Sequence, residues 1–241
     1  MSIETLLIFG AVVFVAAVIQ GISGFAFGIV VLMVFPYIFG YTASLALAPL
    51  MAFVLALYNG YLYRKSIDWQ WILPWCAVFV VADLASVLVL KQYGDNPLWH
   101  KIMGVVFIFM AAYLMWGQSA FHLRISGKTM SVFAIVSGVI MGAFGVGGPP
   151  MAAFFMQACK SKEAYIGTIQ MLNIFVCIID VALRAINGMV TVDLLGYTML
   201  GLVFLFAGLL VAKRFVAHMD ALAMRKFVCF FMVVSGVAMI F

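Results

Sequence analysis

The chain has 241 residues, of which 68% are apolar and 9% charged, with a mean hydropathy of +1.25. A soluble domain keeps about 25% charged residues on a hydrated surface, so this composition excludes a water-solvated globular protein and points to an all-α polytopic membrane protein. The net charge of +5 comes from basic residues scattered in short loops between apolar runs, a pattern of topology signals rather than a nucleic-acid-binding face.

In chain order, glycine clusters, prolines and charges divide the sequence into ten apolar segments, at 3 to 20, 28 to 39, 44 to 63, 71 to 90, 101 to 117, 131 to 145, 149 to 159, 164 to 186, 193 to 212 and 222 to 240. The first follows Glu4 rather than a basic stretch, so it reads as a retained span and not a cleaved signal. Most segments approach the ~20 residues a helix needs to cross ~30 Å of hydrocarbon. The second and seventh are too short and read as half-helices. Cys76, Cys159, Cys177 and Cys229 have no paired spacing, and His100, His122 and His218 fit no metal-ligand pattern, so neither a disulfide, a metal site nor a cofactor is expected.

The second five segments repeat the lengths of the first five in order. A shift of 121 residues lays Gly21 on Gly142, Gly24 on Gly145 and Asn59 on Asp180, and a shift of 125 lays Asp68 on Asp193 and Lys101 on Lys226. The expectation is an internal duplication, residues 1–120 and 121–241 each forming one transmembrane repeat. If all ten segments cross, ten basic residues fall on one side (Arg64, Lys65, Arg124, Lys128, Lys160, Lys162, Lys213, Arg214, Arg225 and Lys226) and Lys91, Lys101 and Arg184 on the other. Counting each long and short pair as one crossing weakens and reverses the bias. Positive charge gathers on the cytoplasmic side, so ten segments with both termini outside are favoured. Five segments per half make the repeats antiparallel, as in many secondary transporters.

Chemistry concentrates at two breaks, Gly21-Ile-Ser-Gly-Phe-Ala-Phe-Gly28 and Gly142-Ala-Phe-Gly-Val-Gly-Gly-Pro-Pro150. Non-helical backbone at membrane depth survives only where protein buries it or a wet cavity meets it. Two half-helices starting there would offer N-terminal N–H groups to an anion, which makes Gly21, Ser23, Gly24, Gly28, Gly145, Gly147, Gly148 and Pro149 candidate substrate-binding residues. Close helix packing through small residues is the competing explanation for the glycines. Among intramembrane ionisable residues, Asp83 and Asp180 are candidate coupling groups and Arg184 a candidate anion contact. Asp180 and Arg184 can pair at i, i+4, and Arg184 is close enough to a helix end to snorkel. Gln20, Asn59, Gln157, Gln170 and Asn173 can line a cavity or bond between helices. The tryptophans, Trp71 among them, sit near segment ends and read as interfacial anchors.

The second break, Gly-Val-Gly-Gly-Pro-Pro before a short apolar helix, resembles the glycine-rich signature of the sulfite exporter TauE/SafE family of membrane permeases. Ile67-Asp68-Trp69 after a basic loop, the duplicated plan and the length extend the resemblance over nearly the whole chain. The first break departs from the family's commoner form, with Phe25 and Phe27 where a glycine-dense run is more usual. The resemblance implies a multi-pass bacterial inner-membrane protein that carries small sulfur-containing or organic anions such as sulfite, sulfonates or sulfoacetate. The partners expected are that anionic substrate, the lipid bilayer and a second copy of the chain, with no nucleic acid.

A passive anion channel is the alternative, and an intramembrane enzyme a weaker one. Neither Asp83 nor Asp180 has the Gly-x-Gly-Asp of an aspartyl protease, and no histidine lies mid-segment to activate a serine. Topology can be tested with single cysteines in a background lacking the native four. Cysteines at Ser126 and Ser161 should be shielded from impermeant thiol reagents added outside, and one at Asn187 should react. Labelling of the Ser161 position from outside would instead support eight spans.

Overall fold

The computed structural model describes residues 3–90, 126–144 and 147–240, with single positions and pairs between 101 and 115. The described residues are helical with no strand: α1 (Ile3–Ser23), α2 (Phe27–Phe39), α3 (Tyr41–Leu62), α4 (Trp69–Leu90), α5 (Gly127–Phe144), α6 (Gly148–Ala158), α7 (Lys162–Ile186), α8 (Val192–His218) and α9 (Ala221–Ile240). Most of the segment expected at 101 to 117 lies outside the described residues.

Five of the long helices, α4, α5, α7, α8 and α9, start where the sequence supplies caps, whereas α3 follows Gly40 without a side-chain cap. A side-chain oxygen accepts a first-turn N–H at Asp68 (Trp71 N, 3.2 Å), Ser126 (Thr129 N, 3.3 Å), Ser161 (Ala164 N, 3.1 Å), Thr191 (Leu194 N, 3.3 Å) and Asp220 (Ala223 N, 2.6 Å). The half-helices differ. Ala26 precedes α2 and Gly147 precedes α6, and neither caps its helix with a side chain. Their 13 and 11 residues span roughly 20 and 17 Å, short of a full crossing.

By length and apolar character, four described helices can cross a membrane, α1, α4, α7 and α8, and shorter apolar stretches lie in α3 and α5. In α8 the buried face carries Leu194, Thr198, Gly201, Leu205 and Leu209, while the exposed face carries Leu195, Met199, Val203 and Leu210. A helix as apolar outside as inside is solvated by lipid. α8 also runs to His218, past the expected end at 212. Lys213 and Arg214 are good helix formers, and a charge that ends an apolar run need not end a helix.

The chain forms two compact units, Met1–Lys65 with Gln170–His218 and Ser66–Ile169 with Met219–Phe241. Each draws on both sequence halves. In the first, Phe9, Phe35 and Phe39 stack with Tyr197 in an aromatic core. There α1 packs on α8 through small residues: a Cβ at Gly208 would lie 2.6 Å from Phe14 O and 2.8 Å from Ala17 Cβ, and one at Gly21 would meet Ala212. In the second, α4 packs on α5. A Cβ at Gly138 would strike Phe79 O and lie 2.8 Å from Ala82 Cβ, and Ser86 Oγ donates to Val139 O at 2.8 Å. Close backbone approach, rather than burial of large side chains, makes these seams tight.

Gly138→Ala therefore forces α4 from α5 and should destabilise the detergent-solubilised protein by about 1–3 kcal/mol, read as a lower Tm. Gly196→Ala, where a Cβ meets nothing within 4 Å, should leave Tm unchanged or slightly raised.

Candidate functional site

The first break lies in the first unit. Gly24 has φ +87°, a left-handed conformation that glycine adopts without steric cost. Its N–H donates to Gln20 O at 2.7 Å, and its carbonyl accepts from Gln20 Nε2 at 3.0 Å and from Asn173 Nδ2 at 2.8 Å. Gln20 Oε1 in turn accepts the Phe27 N–H at 2.8 Å, and Phe25 N–H reaches Ser23 Oγ at 3.4 Å. One buried glutamine thus covers the freed carbonyl and caps the half-helix. In the sequence Gln20 reads only as a polar residue that could line a cavity or bond between helices, and the one signal of its capping role is an amide seven residues before the half-helix.

The donors expected around Gly24 to Gly28 are accordingly fewer. Gly24, Phe25 and Phe27 give their N–H groups to protein, whereas those of Gly28 and Ile29 have no acceptor among the described residues. A Cβ at Gly28 would meet nothing within 4 Å, so no packing demand explains this glycine. Gly21, by contrast, belongs to the α1–α8 seam.

The second break lies in the second unit, and Gly145 falls outside the described residues. Gly147 is pressed close: a Cβ there would lie 2.5 Å from Ser137 O and 2.6 Å from Met141 Cβ. Its N–H points to Met141 Sδ at 3.2 Å. Pro149 and Pro150 occupy the first turn of α6, where proline fits well but has no N–H to give. Of the donors expected between Gly145 and Gly148, the one left at this helix start among the described residues is Gly148. The α6 terminus keeps its dipole and loses most of its hydrogen bonding.

Asp83 is buried in α4 beside Gly138, its backbone N 3.1 Å from where a Cβ on that glycine would stand. Asp180 and Arg184 of α7 pair in the first unit as i, i+4 spacing allows, Oδ2 to Nη2 at 3.9 Å, with both side chains largely buried. Asn173 reaches Gly24 O at the first break and also donates to Gln170 Oε1, and Gln157 bonds its own helix at Ala153 O.

The second unit also holds a cavity of about 520 Å³ at the opposite end of α6 from its break, lined by Ser66, Asp68, Trp71, Cys159, Lys160 and Thr168 among others. Trp71, expected as an interfacial anchor, is half-buried here and stacks on Phe154 with ring centroids 6.4 Å apart.

The first break is thus a broken helix whose freed carbonyl is covered and whose new start keeps spare N–H donors among the described residues. The family model for sulfite exporter TauE/SafE matches residues 9–239. No curated protein and no solved structure matches the chain. The chain belongs to the sulfite exporter TauE/SafE family and is a multi-pass membrane transporter of the class that carries sulfur anions.

Proposed function

We propose that this protein is a secondary transporter of small sulfur-containing or organic oxyanions, with sulfite, sulfonates and sulfoacetate as the candidate substrates, in a bacterial inner membrane. The observation that carries this reading is the start of α2, where the N–H groups of Gly28 and Ile29 have no described acceptor and the space over Gly28 is open. An anion there gains both hydrogen bonds and the positive end of the helix dipole. The start of α6 at Gly148 and Pro149, in the second unit, is a separate candidate that offers a helix dipole with fewer donors. Asp83 and Asp180 are the candidate coupling groups, since a carboxylate within apolar helix costs ~2.5 to 3.5 kcal/mol and persists where it has work to do. Arg184, paired with Asp180, is the candidate second anion contact.

A duplicated, antiparallel plan for residues 1–120 and 121–241 fits this function, and three correspondences support it. The residues preceding the two half-helices, Ala26 and Gly147, are 121 apart and share a backbone conformation, φ −90° with ψ −3° and −2°. In the first unit Ala17 packs on Gly208, and in the second Gly138 packs on Asp83. The 121 shift carries Ala17 to Gly138 and the 125 shift carries Asp83 to Gly208.

Counterflow in proteoliposomes tests the carrier reading. Internal sulfite should accelerate uptake of labelled sulfite, and uptake indifferent to internal anion would identify a passive channel. Gly28→Leu should leave the unliganded Tm near wild type yet remove the stabilisation that sulfite gives, which at ~100 times Kd is about 2.7 kcal/mol for the wild type. Full retention of that stabilisation would sink the α2 site. Asp83→Asn should uncouple transport from a pH gradient while exchange continues, and an unchanged pH dependence would assign Asp83 to structure.

A further inference from the structure

In the first unit, three buried side-chain atoms have no hydrogen-bond partner among the described residues: Asn59 Nδ2, Gln170 Nε2 and Arg184 Nε. All three are N–H donors. A buried donor without an acceptor is costly, and a surplus of one sign calls for a ligand of the other.

Gln170 is the best defined of the three. It is 0% exposed, and its Oε1 accepts from Asn173 Nδ2 at 3.3 Å. Asn173 Nδ2 also donates to Gly24 O at 2.8 Å. The carbonyl of Gly24 can only accept, so it fixes which end of the Asn173 amide faces it. That NH2 group then fixes the Gln170 amide with oxygen toward Asn173 and nitrogen away. Flipping Gln170 would set NH2 against NH2. Gln20 holds Gly24 O from the other side and caps Phe27. The three amides of Gln20, Asn173 and Gln170 form one chain anchored on the break, and its terminal donor, Gln170 Nε2, has no partner among the described residues. Gln20 and Asn173 together occupy the Gly24 carbonyl, an acceptor that could otherwise have drawn a cation.

We infer that Gln170 is a direct ligand of the transported oxyanion, donating through Nε2 to an anion oxygen, and that Asn173 is the positioning residue that holds it as a donor. The inference rests on the oxyanion-transport reading and adds to it a side-chain contact that discriminates oxyanions from cations.

The test measures thermal stabilisation of the full-length protein in detergent by sulfite and by methanesulfonate, with chloride at equal ionic strength as baseline. Gln170→Glu keeps an oxygen for Asn173 and replaces the donor with a second oxygen. Gln170→Met removes both while keeping an unbranched chain. The Met variant should bind both oxyanions roughly 10- to 100-fold more weakly, the loss of one hydrogen bond to a charged group. The Glu variant should lose more at pH 8 and recover as pH falls, because the protonated carboxyl can donate again. If one variant fails to fold, judged by its unliganded Tm, the other decides. Wild-type affinity in either folded variant, or a Glu variant without pH-dependent recovery, overturns the role of Gln170 while leaving the transport reading intact. Wild-type protein stabilised by neither oxyanion overturns both.

Discussion

A backbone carbonyl that leaves a helix inside a bilayer has no water to accept from, and the protein must bring it a donor. Gly24 O is freed from its helix in an apolar chain, and two amides from different parts of the chain cover it. The rest of the first break follows from that constraint. Gln20 must be buried, Asn173 must come from α7, and α2 must begin close enough for Gln20 Oε1 to cap Phe27. A break satisfied in this way is stable enough to persist and still presents a helix start with spare donors.

The two breaks meet the same constraint by different means. At the first, polar side chains do the work and the N–H groups of the next two residues stay open. At the second, proline removes the donors that would need partners, and a methionine sulfur and close packing around Gly147 take the remainder. The duplicated sequence pattern therefore does not imply equal chemistry. The first helix start keeps open N–H groups among the described residues, while the second offers mainly its dipole.

Much of the secondary structure was legible in the sequence because the punctuation is local. Ser126, Ser161, Thr191 and Asp220 each precede an apolar run and each caps it, and glycine and proline mark both half-helices within a residue or two. What escaped is what depends on distant residues. The contact of Asn173 with Gly24 spans 149 positions, and nothing in the neighbourhood of either announces it. The α1–α8 seam explains Gly21 by packing, a role that composition alone could not separate from ligand contact. Trp71 at a segment end read as an interfacial anchor, and the structure adds that it lines a cavity, since end position fixes depth but not the direction a ring faces.

The way the units draw on the chain bears on biosynthesis. The first unit needs Gln170–His218 to complete what Met1–Lys65 begins, and the second needs Met219–Phe241 to join Ser66–Ile169. During synthesis, α1 therefore waits for a partner that emerges well over a hundred residues later. Its glycines and the polar groups of the first break are without their final contacts for that interval. At about 5–20 residues per second the wait is on the order of ten seconds or more. The nascent half-protein is then a natural client for membrane chaperones, and no chain truncated before His218 can close either unit.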